Sequence, residues 1–260
     1  MPLALSTLGL PGLPLPAVLA LAAEGGWQGL ELRAAPSEPV HVGLSSAERR
    51  GVARAFAGAG VVPLAVASYV GVAEEGPDKG VVEGLLAHLH LAADLGAPYV
   101  RVFPRGGAGP VAAAGARAAR RLLGVAEAAG ALGVRVLVET HDSHRSGAAL
   151  AALLDGVPDA PVGALWDVLH TWLAGEPPAE SHRWLAPRLG YVQVKDVASA
   201  ADLTPLALGD GVLPLADCLA PLGDGAWVSW EYEAPWHPSA APLAPLLPSG
   251  ARFLRGLGVR

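Results

Sequence analysis

Residues 162–172 read "VGALWDVLHTW", an apolar run into which a carboxylate and an imidazole are set three positions apart. The part that spans 162–168 has the length and the apolar content of a strand that is covered on both faces. Asp167 lies near the end of this part, and His170 follows it. A buried carboxylate costs several kcal/mol unless it is paired, hydrogen-bonded or bound to a metal. The stretch therefore predicts a buried strand that ends at a polar site.

Seven other β-rich segments recur along the chain, separated by Ala- and Leu-rich segments with helical periodicity. In chain order, the predicted strands are 3–7, 29–34, 62–70, 99–103, 134–141, 162–168, 191–196 and 227–233. Eight strands that alternate with helices over about 250 residues are typical of a (β/α)8 TIM barrel, an α/β fold. No change in composition marks a second domain, so we expect a single TIM-barrel domain over 1–260. The least regular connection, 197–226, predicts a loop and a short helix.

The composition argues against several classes of protein. A hydrophobic fraction of 52% with 16% charged residues fits a globular protein with a large core. The net charge of −6 argues against a nucleic-acid partner, which would require clustered Lys and Arg. Prolines at 2, 11, 14 and 16 interrupt the uncharged N-terminal segment, which argues against a signal peptide or a membrane span. The single cysteine, Cys218, predicts a buried thiol and a cytoplasmic protein.

Side chains with oxygen donors stand near the ends of the last four predicted strands. They are Glu139, Asp167, Gln193 and Glu231. The carboxyl ends of all eight strands meet at one mouth of a TIM barrel, where the active site lies. Three carboxylates and one amide oxygen suit a hard or borderline divalent cation, so we expect one Mn²⁺ or Mg²⁺ ion, with Zn²⁺ or Co²⁺ as alternatives. Such an ion would offset the negative charge grouped at the mouth.

Four motifs coincide with these strand ends: "VETHDSHRSG" (138–147), "WDVLH" (166–170), "VQVKD" (192–196) and "SWEYE" (229–233). Together with "GWQGLELR" (26–33), they resemble the xylose isomerase-like sugar phosphate isomerase/epimerase barrels in order and separation, over essentially the whole chain. The resemblance implies that the same four side chains are metal ligands and that His170 contacts the substrate. Most members carry His where this chain has Gln193, whereas members that resemble hydroxypyruvate isomerase carry Gln. The metal preference therefore stays open.

The chemistry that this resemblance implies is proton transfer next to a carbonyl group. A bound dication would polarise the oxygens of the substrate and lower the pKa of the neighbouring C–H group. Glu139 and Glu231, on either side of the metal, are the expected proton carriers. Return of the proton to the opposite face of the same carbon is epimerisation, whereas return to the adjacent carbon is aldose–ketose isomerisation.

Four further side chains are expected to contact the substrate. His170 and Lys195 would hydrogen-bond the developing oxyanion. Arg101, at the end of the fourth predicted strand, and His141 would orient hydroxyls or a carboxylate of the substrate. For Lys195, one of only two lysines in the chain, an ion pair with a nearby carboxylate is an equal alternative.

Several functions are compatible with such a barrel. The first is an isomerase or epimerase of a small sugar, polyol or hydroxy-keto acid, phosphorylated or free. An inosose-type dehydratase with the same metal site and a non-catalytic sugar-binding barrel are alternatives. An apurinic endonuclease is disfavoured, because the third and fourth predicted strands end in "ASYV" and "RVFP", without the histidines that its extra metals need. We expect no nucleic-acid or membrane partner, and a homo-oligomer is left open.

Overall fold

Parallel pairing of eight strands closes a barrel in the computed structural model, which describes residues 1–259. The ten strands are β1 (Leu3–Ser6), β2 (Gly29–Arg33), β3 (Val62–Gly71), β4 (Tyr99–Phe103), β5 (Arg135–Glu139), β6 (Val162–Asp167), β7 (Leu189–Val194), β8 (Val197–Ser199), β9 (Asp202–Pro205) and β10 (Trp227–Trp230). All except β8 and β9 belong to the barrel, in chain order, and β10 pairs with β1 to close it. The predicted (β/α)8 fold is confirmed.

Ten helices accompany the strands within the described part of the chain. They are α1 (Leu15–Gly25), α2 (Ser46–Ala59), α3 (Asp78–Leu95), α4 (Val111–Leu123), α5 (Ala126–Leu132), α6 (Gly147–Leu154), α7 (Val168–Leu173), α8 (Pro178–Leu185), α9 (Leu215–Leu219) and α10 (Leu247–Gly256). The segment 109–133 has one continuous helical periodicity in the sequence but forms two helices, α4 and α5. Gly124 weakens the helix, and Val125 leaves the helical conformation and is buried. Among the described residues, no helix is long and apolar enough to cross a bilayer.

The connection 197–226 contains more structure than the sequence indicates. The short helix predicted there is α9, but β8 and β9 also pair as an antiparallel hairpin. Strands of three and four residues are too short to show an alternating pattern, which explains why the hairpin was missed.

A single carboxylate ties this connection to the end of β7. Asp196 accepts hydrogen bonds from the backbone N–H groups of Val197, Gly209, Gly211 and Leu213 at 3.0–3.1 Å. Glycine is required at 211, because a Cβ atom there would overlap the Asp196 carboxylate. The segment 207–213 is therefore folded onto the barrel mouth by this side chain.

The barrel interior is filled in layers, and an apolar layer supports the polar strand ends. Its members are Ala4, Leu64, Ala65, Leu137, Leu165 and Tyr191. Three of them precede predicted metal ligands by two residues, so the ligands share their inward face and lie one layer nearer the mouth. A larger apolar cluster packs the outer faces of the strands against the helices.

Replacement of Asp196 by Asn tests the role of its carboxylate in the loop. The amide retains only one acceptor oxygen for four N–H donors, so we expect the free energy of unfolding to fall by about 2–3 kcal/mol. Amide hydrogen exchange at 209–213 should also accelerate. The exposed Asp210 provides the control, since Asp210→Asn should change stability by less than about 0.5 kcal/mol. Wild-type stability of Asp196→Asn in urea denaturation would contradict this role.

Candidate metal centre and substrate pocket

The four predicted ligands lie together at the carboxyl ends of neighbouring barrel strands. They are Glu139 on β5, Asp167 on β6, Gln193 on β7 and Glu231 directly after β10, each at most 4% exposed. Asp167 and Gln193 are register partners. Although β10 ends at Trp230, the Glu231 N–H still donates to Val194 O at 3.0 Å, which extends the ladder and points the Glu231 side chain into the mouth.

Three oxygens of this set accept no hydrogen bond from the described residues. They are Glu139 Oε2, Asp167 Oδ2 and Gln193 Oε1, all fully buried. Two of them have cationic neighbours without hydrogen-bond geometry: Arg101 Nε lies 3.1 Å from Glu139 Oε2, and Lys195 Nζ lies 2.7 Å from Asp167 Oδ2. Gln193 Oε1 thus has no hydrogen-bond or ion-pair partner, and the two carboxylate oxygens are held only by an ion pair. A metal ion can ligate buried oxygens of both kinds. The donor set therefore fits a divalent cation.

The charges at the mouth do not balance. Five carboxylates and two cations meet there: Glu31, Glu139, Asp167, Glu231 and Glu233 with Arg101 and Lys195. Burial raises the pKa of Glu139 well above its usual range; the Arg101 cation opposes this rise, and the charges of Glu231 and Asp167 add to it. An additional dication would bring the mouth close to neutrality, which agrees with the fit of the donor set.

Lys195 is held by three carboxylates. Its Nζ lies 2.7 Å from Asp167 Oδ2, 2.5 Å from Glu231 Oε2 and 2.6 Å from Glu233 Oε1. Burial alone would lower the pKa of Lys195, but these charges raise it well above its usual value, and Lys195 in turn holds the pKa of Glu233 at about 2. The ion-pair alternative for Lys195 is therefore present in the structure, while its contact with an oxyanion stays a prediction. Glu233 was not among the predicted site residues.

Arg101 contacts a predicted ligand. In addition to its contact with Glu139, its Nη1 donates to Ser68 O at 2.8 Å, and the guanidinium lies 4.0 Å from the ring centre of Phe103. With 3% exposure, Arg101 is buried beneath the mouth and contacts Glu139. Its contact with a substrate stays a prediction.

His141 and His170 face each other at the rim, with ring centroids 4.0 Å apart. His141 Nδ1 lies 2.9 Å from Asp142 Oδ1, and His170 Nε2 lies 3.7 Å from Asp167 Oδ2. Burial lowers the pKa of His170 well below its usual value; the charges of His141 and Lys195 add to this effect, and those of Glu233 and Asp142 oppose it. One nitrogen of each ring and an oxygen of Glu139 lie within 4.8 Å of one another. The two imidazoles thus lie beside Glu139 at the rim of the mouth, and their contact with a substrate stays a prediction.

Glu31 is a site residue that sequence reasoning missed. It is fully buried on β2, where its carboxylate accepts a hydrogen bond from Tyr191 Oη at 2.5 Å and contacts Gln193 Nε2 at 2.8 and 2.9 Å. Burial raises the pKa of Glu31, and the charge of Glu231 adds to it. One feature of the sequence could have identified Glu31. It is a charged residue within the apolar stretch "GLELR" (29–33), as at the ends of the other strands.

A cavity of about 670 Å³ opens beside the mouth, between β2 and β3. Arg33 and Tyr69 line it together with His41 and His88. Arg33 Nε donates to Tyr69 Oη at 2.7 Å, and its guanidinium lies 5.4 Å from the ring centre of Trp236, which is 55% exposed. The space is large enough for a small organic molecule.

The sequence over residues 19–257 matches the family model of the xylose isomerase-like TIM barrels, and the chain belongs to this family. The match confirms the resemblance that the strand-end motifs indicate. It covers all barrel strands except β1, together with every residue discussed above for the mouth. No curated protein matches the sequence.

Three of the solved structures that share the fold have TM-scores of 0.82. The probable 3-DHS dehydratase AsbF of petrobactin synthesis from Bacillus anthracis is 17% identical, with 98% of this chain and 99% of that chain covered. The IOLI protein, solved with a zinc atom, is 16% identical, with 97% of each chain covered. D-psicose 3-epimerase from Clostridium cellulolyticum H10, solved with D-tagatose, is 14% identical, with 100% of each chain covered. These identities show the fold alone.

Replacement of Arg101 by Met tests the buried ion pair. Glu139 would remain in the barrel without its nearest cation, so we expect the metal-free protein to lose about 3–5 kcal/mol of unfolding free energy in urea denaturation. The exposed Arg145 is the matched control, and Arg145→Met should change stability by less than about 0.5 kcal/mol. A loss below 1 kcal/mol for Arg101→Met would show that Glu139 does not depend on this cation.

Proposed function

We propose that this protein is a divalent-metal-dependent isomerase or epimerase of a small sugar, polyol or hydroxy-keto acid. The observation that carries the proposal is the set of four buried acid and amide side chains at the barrel mouth, three of whose oxygens accept no hydrogen bond from the described residues. Membership of the xylose isomerase-like family supports it. The similar fold of D-psicose 3-epimerase, solved with D-tagatose, supports a sugar-like substrate.

The residues that would hold the ion are Glu139, Asp167, Gln193 and Glu231. When bound, a metal of this kind acts as a Lewis acid toward substrate oxygens and increases the acidity of the neighbouring C–H group. The oxygen-rich donor set favours Mn²⁺ or Mg²⁺, with Zn²⁺ or Co²⁺ as alternatives. The zinc atom in the structure of the similarly folded IOLI protein supports a metal centre in this fold.

Glu139 and Glu231 are the proposed proton carriers. Their strands, β5 and β10, lie on either side of β6 and β7, so the two carboxylates approach the mouth from different directions. One carboxylate removes the proton next to the carbonyl, which leaves an enediolate. The other, in its protonated form, returns a proton to the opposite face of the same carbon in an epimerase. In an isomerase the hydroxyl proton of the enediolate first moves from one oxygen to the other, and the carboxylic acid then protonates the adjacent carbon. Burial raises the pKa of Glu139, which favours proton uptake by this carboxylate.

The remaining mouth residues bind and orient the substrate in this proposal. Lys195 and the His170 ring supply hydrogen-bond donors for the enediolate oxygen. His141, stacked on His170, and the deeper Arg101 orient the hydroxyl groups or a carboxylate of the substrate. The cavity beside β2 and β3 has room for the part of the substrate that does not react.

An inosose-type dehydratase is the second candidate, and the ammonium group between the carboxylates favours it. Glu231 would take the C–H proton, the bond to the β-hydroxyl would break, and Lys195 would protonate the departing hydroxide. Glu231 would then return its proton to Lys195, since the two groups lie 2.5 Å apart. Substrate would become product and water, and both side chains would regain their initial forms. The likeness to the probable 3-DHS dehydratase AsbF also supports this candidate.

Solvent-deuterium exchange followed by NMR separates the candidates. The Mn²⁺-loaded protein is mixed with ketoses, inososes and hydroxy-keto acids in D₂O. Deuterium at the carbon next to the carbonyl, with an isomer or epimer as product, is expected for the first candidate. Loss of water is expected for the dehydratase. Absence of exchange and turnover with every compound, despite sugar binding, would favour the non-catalytic sugar-binding barrel.

Replacement of Glu231 by Gln removes a proposed proton carrier with little change in shape. We expect turnover to fall by a factor of about 10³, because proton transfer by a positioned group contributes that much. The thermal unfolding midpoint should stay close to that of the wild type, because the barrel core is unchanged. Glu127→Gln, on the exposed side of α5, is the control and should retain full turnover. Unchanged activity of Glu231→Gln would remove this residue from the mechanism.

A further inference from the structure

The nitrogen of the Gln193 amide is surrounded by carboxylate oxygens. Gln193 Nε2 lies 2.8 and 2.9 Å from the two oxygens of Glu31, and 3.2 Å from Glu231 Oε1. An ionised carboxylate only accepts hydrogen bonds, whereas an amide has a donor side and an acceptor side. If the amide were reversed, its oxygen would face three oxygens without a proton between them. Glu31 therefore determines which end of the amide faces the mouth, and that end is the buried Oε1, which accepts no hydrogen bond.

Glu31 reaches Gln193 across the barrel. Its strand β2 is separated from β7 by β1 and β10, and the two residues are 162 positions apart in the chain. Tyr191 Oη donates to Glu31 Oε2 at 2.5 Å. Tyr191 precedes Gln193 by two residues on the same inward face of β7. This strand therefore supplies both the Gln193 amide and the Tyr191 phenol, which holds the Glu31 carboxylate in contact with that amide. The three side chains are buried and leave this arrangement little freedom.

We propose that Glu31 is a positioning residue, held by Tyr191, which presents the Gln193 amide to the metal through oxygen and so shifts the preference of the site toward hard cations. The inference rests on the metal site of the proposed function. It adds Glu31 as the group that orients the fourth ligand, Gln193. Carboxylate and carbonyl oxygens suit Mg²⁺ and Mn²⁺, whereas imidazole nitrogen suits Zn²⁺. A partner that orients a metal ligand typically changes metal affinity by about 10- to 100-fold when it is removed.

Metal affinity of the full chain, measured by isothermal titration with Mn²⁺, tests the inference without any substrate. Glu31→Gln replaces a pure acceptor by a group with its own N–H donors, so the Gln193 amide loses its fixed orientation. We expect Mn²⁺ affinity to fall by about 10- to 100-fold. Tyr191→Phe should weaken binding in the same direction, and it serves as the test if Glu31→Gln does not fold. Tyr99→Phe is the control, because this ring packs near Tyr191 at 5.8 Å and should leave affinity unchanged.

A double-mutant cycle distinguishes positioning from a general effect of charge. If Glu31 acts through the amide, Glu31→Gln should change affinity by less than about 2-fold in a Gln193→Ala background, where no amide remains to orient. An equal loss in both backgrounds would show that Glu31 acts as a distant negative charge, and would overturn the inference.

The identity of the donor atom gives a second measurement. Gln193→His, with Glu31 retained, should bind metal through nitrogen while its other ring nitrogen donates to Glu31. We expect the ratio of Zn²⁺ to Mn²⁺ affinity to rise at least about 10-fold, with a shifted visible spectrum of the Co²⁺ form. An unchanged ratio and spectrum would contradict ligation at position 193.

The two proposals fail in different ways. If the wild-type chain binds none of these divalent ions, the metal-dependent function and the positioning role are both wrong. If the wild type binds Mn²⁺ and Glu31→Gln binds it equally well, only the positioning role is wrong.

Discussion

An excess of buried negative charge at the barrel mouth is the constraint on which the rest of the site depends. Five carboxylates converge there with two fixed cations, and an ionised carboxylate removed from water costs several kcal/mol without a partner. Arg101 and Lys195 offset part of this charge, but burial still raises the pKa of Glu31 and Glu139. In the proposed function, a divalent cation would supply the positive charge that the chain lacks, beside the two proposed proton carriers.

The same constraint explains how the surrounding hydrogen bonds are arranged. Hydrogen-bond donors are directed at carboxylates. Tyr191 and the Gln193 amide donate to Glu31, and four backbone N–H groups donate to Asp196. Because the glycine-rich segment 207–213 gives its N–H groups to Asp196, these groups are not free to bind a phosphate. That segment is therefore part of the support of the mouth.

The barrel and its four candidate ligands follow from the sequence because both depend on local pattern. The carboxyl ends of all the parallel strands lie at one mouth of the barrel. Polar residues such as Asp167, at the ends of apolar runs, therefore lie close together there. Glu31 was not identified in this way, since its partner Gln193 lies 162 positions away and the motif "GWQGLELR" (26–33) does not show which side chain Glu31 contacts. The three ion pairs of Lys195 depend on side-chain conformations that spacing does not determine. The hairpin of β8 and β9 was missed because its strands are too short for periodicity.

Anomalous diffraction from crystals grown with Mn²⁺ locates the ion relative to every side chain at the mouth and so tests whether the four side chains bind one metal ion. We expect a single strong peak about 2.0–2.3 Å from oxygens of Glu139, Asp167, Glu231 and Gln193, with the amide nitrogen turned toward Glu31. A peak held instead by His141 and His170 would contradict this expectation, as would a mouth without any peak at saturating Mn²⁺.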